Sequence, residues 1–163
     1  MAKCGVLMMF ILGLISVGLI VACVSGNDWA SSLFNNKPVR VGLWKRCTGH
    51  PGEDECVVLG DNVESWTQVV RALAVLTCLF SAIGTVLTLL LLIAKNLPSR
   101  YITWFFLCAA FAMSSSLVVF IIKIPTADAA SENTKIGWCY IVGWVGVIFD
   151  LATFLFGFCA DKF

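Results

Sequence analysis

Four stretches of this chain contain almost nothing that water would solvate. Val6–Val24, Ala72–Ala94, Ile102–Ile122 and Trp138–Cys159 hold 19, 23, 21 and 22 residues, and only the last carries a charge, Asp150. At 1.5 Å rise per residue, about 20 residues cross a hydrocarbon layer roughly 30 Å thick. In lipid each run must be helical, because an unpaired backbone group there costs several kcal/mol. Composition agrees: 60% of the 163 residues are apolar and 13% are charged, against about half and about a quarter in a soluble domain. The expected fold class is an all-α membrane protein, one domain over residues 1–163 with four transmembrane helices. The first run has Lys3 before it, and Ile20-Val21-Ala22-Cys23 looks like a lipoprotein cleavage box. Its apolar core exceeds the roughly 7–15 residues of a secretory signal, and retaining it leaves an even number of spans.

Four spans put both tails and the seven-residue turn Lys95–Tyr101 on one side, and loops 25–71 and 123–137 on the other. Lysine and arginine do not settle which side is which. Four lie on the tail side and seven on the loop side, yet Lys95 and Arg100 crowd a very short turn. Cysteine placement is more telling. Of eight cysteines only Cys47 and Cys56 lie well inside a loop, close together in a polar stretch. A bridge across so short a loop suits an oxidising compartment and not the cytosol. The long loops are therefore expected outside, and both termini in the cytoplasm of a multi-pass plasma-membrane protein.

Within the large loop, Val39–Cys47 and Cys56–Leu59 are rich in β-branched and aromatic residues, and T-G-H-P-G-E-D-E between them is turn chemistry. The expectation is a β-hairpin tied by Cys47–Cys56. Zinc is a poor fit, since two cysteines and the single histidine, His50, are one ligand short. No cofactor or metal is expected.

Trp29, then Gly42-Leu43-Trp44, then Cys47 and Cys56, resemble the W…GLW…C…C signature of the claudin superfamily, which includes claudins, peripheral myelin protein, epithelial membrane proteins and the lens fibre membrane intrinsic protein. Arg71 at the mouth of the second span and Tyr140-Ile141-Val142-Gly143-Trp144 in the fourth look like family features too. The resemblance extends over the whole chain in span number, loop order and loop size. Two features place it nearer the epithelial membrane and lens proteins than the barrier-forming claudins. The sequence ends at Asp161-Lys162-Phe163 without a scaffold-binding tail, and Glu64-Ser65-Trp66-Thr67-Gln68 precedes Arg71. The second loop is short, with Pro125 expected to end the third helix early. The resemblance implies a left-handed four-helix bundle bearing a small extracellular antiparallel sheet, built mainly from the first loop. In that picture Trp29, Gly42, Leu43 and Trp44 anchor the sheet at the membrane surface. Tryptophan favours such an interface, where its ring is buried and its N–H stays wet. Recognition of a partner would fall to the exposed tips, His50, Glu53, Asp54 and Glu55 in the first loop and 127–135 in the second.

Asp150 stands alone in the membrane, where a carboxylate costs at least ~2.5–3.5 kcal/mol to insert. Gly143, Gly146, Asp150, Thr153 and Gly157 fall on one helix face, and small residues there allow close helix approach. Thr77, Ser81, Gly84 and Thr88 form a similar stripe in the second span. Depth counting puts Ser16, Thr85 and Ser114 nearest Asp150. The plain reading is a buried hydrogen-bond staple; the sharper ones are an ion or proton site, or a contact with a partner's helix. Cys4 and Cys159, near the cytoplasmic ends, suit either S-acylation or simple packing.

No nucleophile–base pair, H-E-x-x-H, G-x-S-x-G or phosphate loop is present, so an enzyme with a small-molecule substrate is not expected. Charge is scattered and sums to +1, without a basic patch for nucleic acid. The expected partners are membrane lipids and the same or a homologous membrane protein, in cis or in trans. The function expected is cell–cell adhesion, junction formation or membrane organisation, and the competing one is a lateral auxiliary subunit of a channel or receptor.

Overall fold

In a computed structural model the chain forms four long helices and five short strands. The structure describes residues 3–34, 37–49, 55–60, 63–94, 99–127 and 134–160. In chain order the elements are α1 (Lys3–Ser25), β1 (Ala30–Phe34), β2 (Lys37–Val41), β3 (Lys45–Thr48), β4 (Glu55–Val58), α2 (Ser65–Ala94), α3 (Ser99–Ala127), β5 (Lys135–Ile136) and α4 (Trp138–Ala160). All four helices are long and apolar enough to cross a bilayer. Helix α1 packs on α2 and α4, and α3 on the same two, closing a ring.

The distribution of polarity is the reverse of a water-soluble core. Ser16, Thr77, Ser81, Thr88, Thr103, Ser116, Asp150 and Thr153 are all buried, whereas Leu14, Phe111, Ile122 and Ile148 face outward. Lipid tails are as apolar as leucine, so burial of apolar side chains does not drive these helices together. Close packing and interhelical hydrogen bonds do. The α1–α4 seam shows how close. A Cβ on Gly146 would lie 3.0 Å from Ile20, one on Gly143 would lie 3.0 Å from the Cys23 sulfur, and one on Gly157 would overlap Thr103 and Met9. The stripes on α2 and α4 named from the sequence are buried throughout.

Two helices run well past their apolar stretches. Helix α2 begins seven residues before Ala72, at Ser65, and includes Arg71. Helix α3 continues through Pro125 to Ala127, so that proline does not end it early. In the last turn its missing N–H removes a single hydrogen bond, which the rest of the helix outweighs.

The strands make one antiparallel sheet in the order β4-β3-β2-β1-β5. Stretch 39–47 is not one strand: Gly42-Leu43-Trp44 turn the chain between β2 and β3. A Cβ on Gly42 would sit 2.6 Å from the Asn27 Cα, so the turn presses on the link between α1 and β1. Strands β3 and β4 pair Cys47 with Cys56, and the two sulfurs are bonded at 2.06 Å. Gly49, at φ 132°, takes a conformation open to glycine as the chain leaves β3. The second loop contributes β5, which pairs Ile136 with Ala30 and Lys135 with Ser31.

Candidate functional site

A helix ends with carbonyls that have no intrahelical partner, and a buried, unpaired one costs about 1–3 kcal/mol. At the end of α1 that faces the sheet, the Gly26 N–H reaches Ala22 O at 3.0 Å. Trp29 Nε1 donates to Cys23 O at 2.8 Å, and Trp44 Nε1 to Val24 O at 2.9 Å. Both signature tryptophans thus cap the first helix. Trp29 is fully buried and packs edge-on against Phe120, with centroids 5.0 Å apart. It sits inside the head of the bundle, and its carbonyl accepts from Gly137 N–H next to β5. Trp44 is 37% exposed.

Arg71 ties the same turn to α2. Its Nε donates to Leu43 O at 2.8 Å and its Nη2 to Leu59 O at 3.2 Å, while Cζ lies 5.0 Å from the Trp44 ring centroid. One side chain therefore holds both ends of the β3–β4 hairpin, and its charge is spread over an aromatic face. Leu43 is buried beneath.

A second polar centre lies within the bundle. Asp150 is fully buried, and its Oδ1 accepts from Ser16 Oγ at 2.6 Å and from Ser81 Oγ at 3.0 Å. Ser16 Oγ also lies 3.2 Å from Gly146 O. Oδ2 has no hydrogen-bond partner among the described residues. Of the three residues that depth counting puts nearest, Ser16 reaches the carboxyl, while Thr85 and Ser114 make their hydrogen bonds elsewhere. Thr85 donates to Ser81 O and Ser114 to Ala110 O, each one turn back along its own helix. The reason is the early start of α2, which moves its midpoint away from Thr85 towards Ser81. Ser114 is half-buried, off the fully buried stripe of α3 that holds Ala110, Met113 and Leu117. The signal for Ser81 was present, since it belongs to the small-residue stripe.

The exposed face of the sheet completes the site. Strand β4 is an edge strand with Val57 and Val58 each 66% exposed, and Glu55 is exposed beside them. Those two valines were not singled out from the sequence; only the pairing order reveals them as an open edge. His50, Glu53 and Asp54 lie outside the described residues, as do 128–133 of the second loop. Among the described residues no three His, Cys, Asp or Glu side chains gather at metal-binding distance.

Four apolar spanning helices, with a sheet stitched to one end by tryptophan caps and an arginine, define a tetraspan membrane protein. The chain belongs to the PMP-22/EMP/MP20/Claudin family, whose model matches residues 3–158. It is 24% identical to the human lens fiber membrane intrinsic protein over 150 residues, covering 88% of this chain and 84% of that one. The rat and mouse lens fiber membrane intrinsic proteins match over the same shares at 22%.

Proposed function

We propose that the sheet lies outside the plasma membrane, with both termini in the cytoplasm, and acts in adhesion between cells or in organising the membrane at their contacts. The observation that carries this reading is the sheet's open edge. Among the described residues strand β4 pairs on one side only, and it carries two exposed valines beside a base tied by Arg71 and the tryptophan caps. Such an edge pairs readily with another chain. Membership of a family that includes the lens fiber membrane intrinsic protein is compatible with a structural role at cell surfaces.

The competing reading, lateral association with a different membrane protein, draws support from Gly18. It lies on the lipid-facing side of α1 with open space around it, a notch that another helix could enter. Cells expressing the protein, mixed with non-expressing cells, discriminate the two. Adhesion predicts clustering of expressing cells, concentration of the protein at their contacts, and loss of both in Val57→Asp/Val58→Asp. Even surface distribution and no clustering favour the lateral role. Surface labelling of an epitope inserted at Gly52 in intact cells tests the orientation separately.

A further inference from the structure

A groove of about 380 Å³ lies between α1, α2 and the β2–β3 turn, on the outer surface of the bundle. Its floor is apolar, made by Val21 and Val24 of α1 and Cys78 of α2. Its rim is polar, made by Ser25, Asn27 and Lys45, and Trp44 forms one wall. Val21, Ser25, Asn27 and Lys45 are all exposed, so the groove is open to its surroundings. Ser25 and Val21 are one turn apart, about 6 Å along the helix. The groove thus passes from a polar rim to an apolar floor within a single turn.

Its charge is one-sided. Lys45 stands on the rim, and Arg71 lies against the Trp44 ring. Among the described residues no acidic side chain lines the groove. The Ser25 hydroxyl is already committed to Val21 O at 2.7 Å, which leaves Lys45 and Asn27 as the rim's donors. Lys45 makes no ion pair with any described residue. A cationic rim over an apolar floor on the outer surface of a spanning bundle complements an amphiphile with an anionic group in its head.

We propose that this groove holds one membrane phospholipid, with its phosphate against Lys45 and Asn27 and the top of one acyl chain along Val21, Val24 and Cys78. Recognition is of the phosphate, so zwitterionic and anionic headgroups both bind, while a lipid with the same chains and no phosphate does not. A bound phospholipid there would join α1, α2 and the Trp44 turn, the junction on which the sheet's position depends.

The test is native mass spectrometry of the full-length protein in mild detergent, titrated with phosphatidylcholine, phosphatidylserine or diacylglycerol of identical acyl chains. The expected result is one retained phospholipid per chain with either headgroup and no retained diacylglycerol. Lys45→Gln should weaken retention about tenfold. Val21→Trp, which fills the floor and leaves the rim intact, should do the same, and Lys37→Gln on β2 should have no effect. Thermal melting of each variant separates loss of the site from loss of the fold, and Val21→Trp decides the matter if Lys45→Gln melts early. Equal retention of diacylglycerol, or unchanged retention in well-folded Val21→Trp, overturns the proposal.

Discussion

The Ser16 hydroxyl lies 2.6 Å from Asp150 Oδ1 and joins the first helix to the last inside the bundle. Ser81 approaches the same oxygen from α2, so one carboxyl collects donors from two other helices. Interhelical hydrogen bonds of this kind average about 0.6 kcal/mol in membrane proteins and reach about 1.7. A double-mutant cycle of Ser16→Ala with Asp150→Ala, read from reversible unfolding in mixed micelles, should give a coupling energy within that range. Strict additivity would show that the contact contributes nothing.

The glycines of the helices should respond to alanine with opposite signs. Gly157 has Thr103 and Met9 where a Cβ would go, so Gly157→Ala must force α4 away from its neighbours and lower the melting temperature. Gly18 has nothing within 4 Å, and alanine there should be neutral or stabilising by up to about 1 kcal/mol through helix propensity. Scanning fluorimetry of both variants in one detergent checks the pair.

Removing the Trp44 N–H should cost more than removing ring area. Trp44→Phe keeps an aromatic wall but leaves Val24 O unpaired, for a loss of about 1–3 kcal/mol. Trp44→Tyr should not rescue it, because the phenol cannot place a donor where the indole N–H stands. The measurement is thermal stability of both variants beside wild type.

Arg71→Lys should loosen the first loop without melting the helices. A lysine cannot reach Leu43 O and Leu59 O together, nor spread its charge over the Trp44 ring in the same way. Hydrogen exchange should quicken across 43–60 while far-UV circular dichroism stays at the wild-type level. Protection equal to wild type would remove Arg71 from its bridging role.

The Cys47–Cys56 bridge closes a loop of about ten residues, worth roughly 3 kcal/mol in the chain-entropy model. Cys47→Ala/Cys56→Ala should therefore raise exchange in β3 and β4 and leave α1 and α4 protected, as followed by peptide-resolved hydrogen exchange. Collapse of the whole bundle in this variant would mean that the sheet helps to hold the helices, and not only the reverse.

Much of this molecule was legible before any fold was known. Each span is a property of one segment against one solvent, so length and hydropathy are enough to place α1 and α4 within a few residues. The buried faces of α2 and α4 followed from spacing alone, because small residues at three- and four-residue intervals fall on one side of a helix. The tie between Cys47 and Cys56 needed only two cysteines in one polar loop.

Other features depended on where segments meet. Ser81 and not Thr85 reaches Asp150 because α2 starts at Ser65, and its early turns belong to the sheet's support. Trp29 is a buried helix cap beside a sheet whose last strand, β5, arrives from a loop more than 100 residues away. The open edge at Val57 and Val58 follows from strand pairing, since among the described residues β4 pairs with β3 alone. Local solvation is written in the order of residues, whereas hydrogen-bond partners and free edges are fixed by packing between segments distant in the chain.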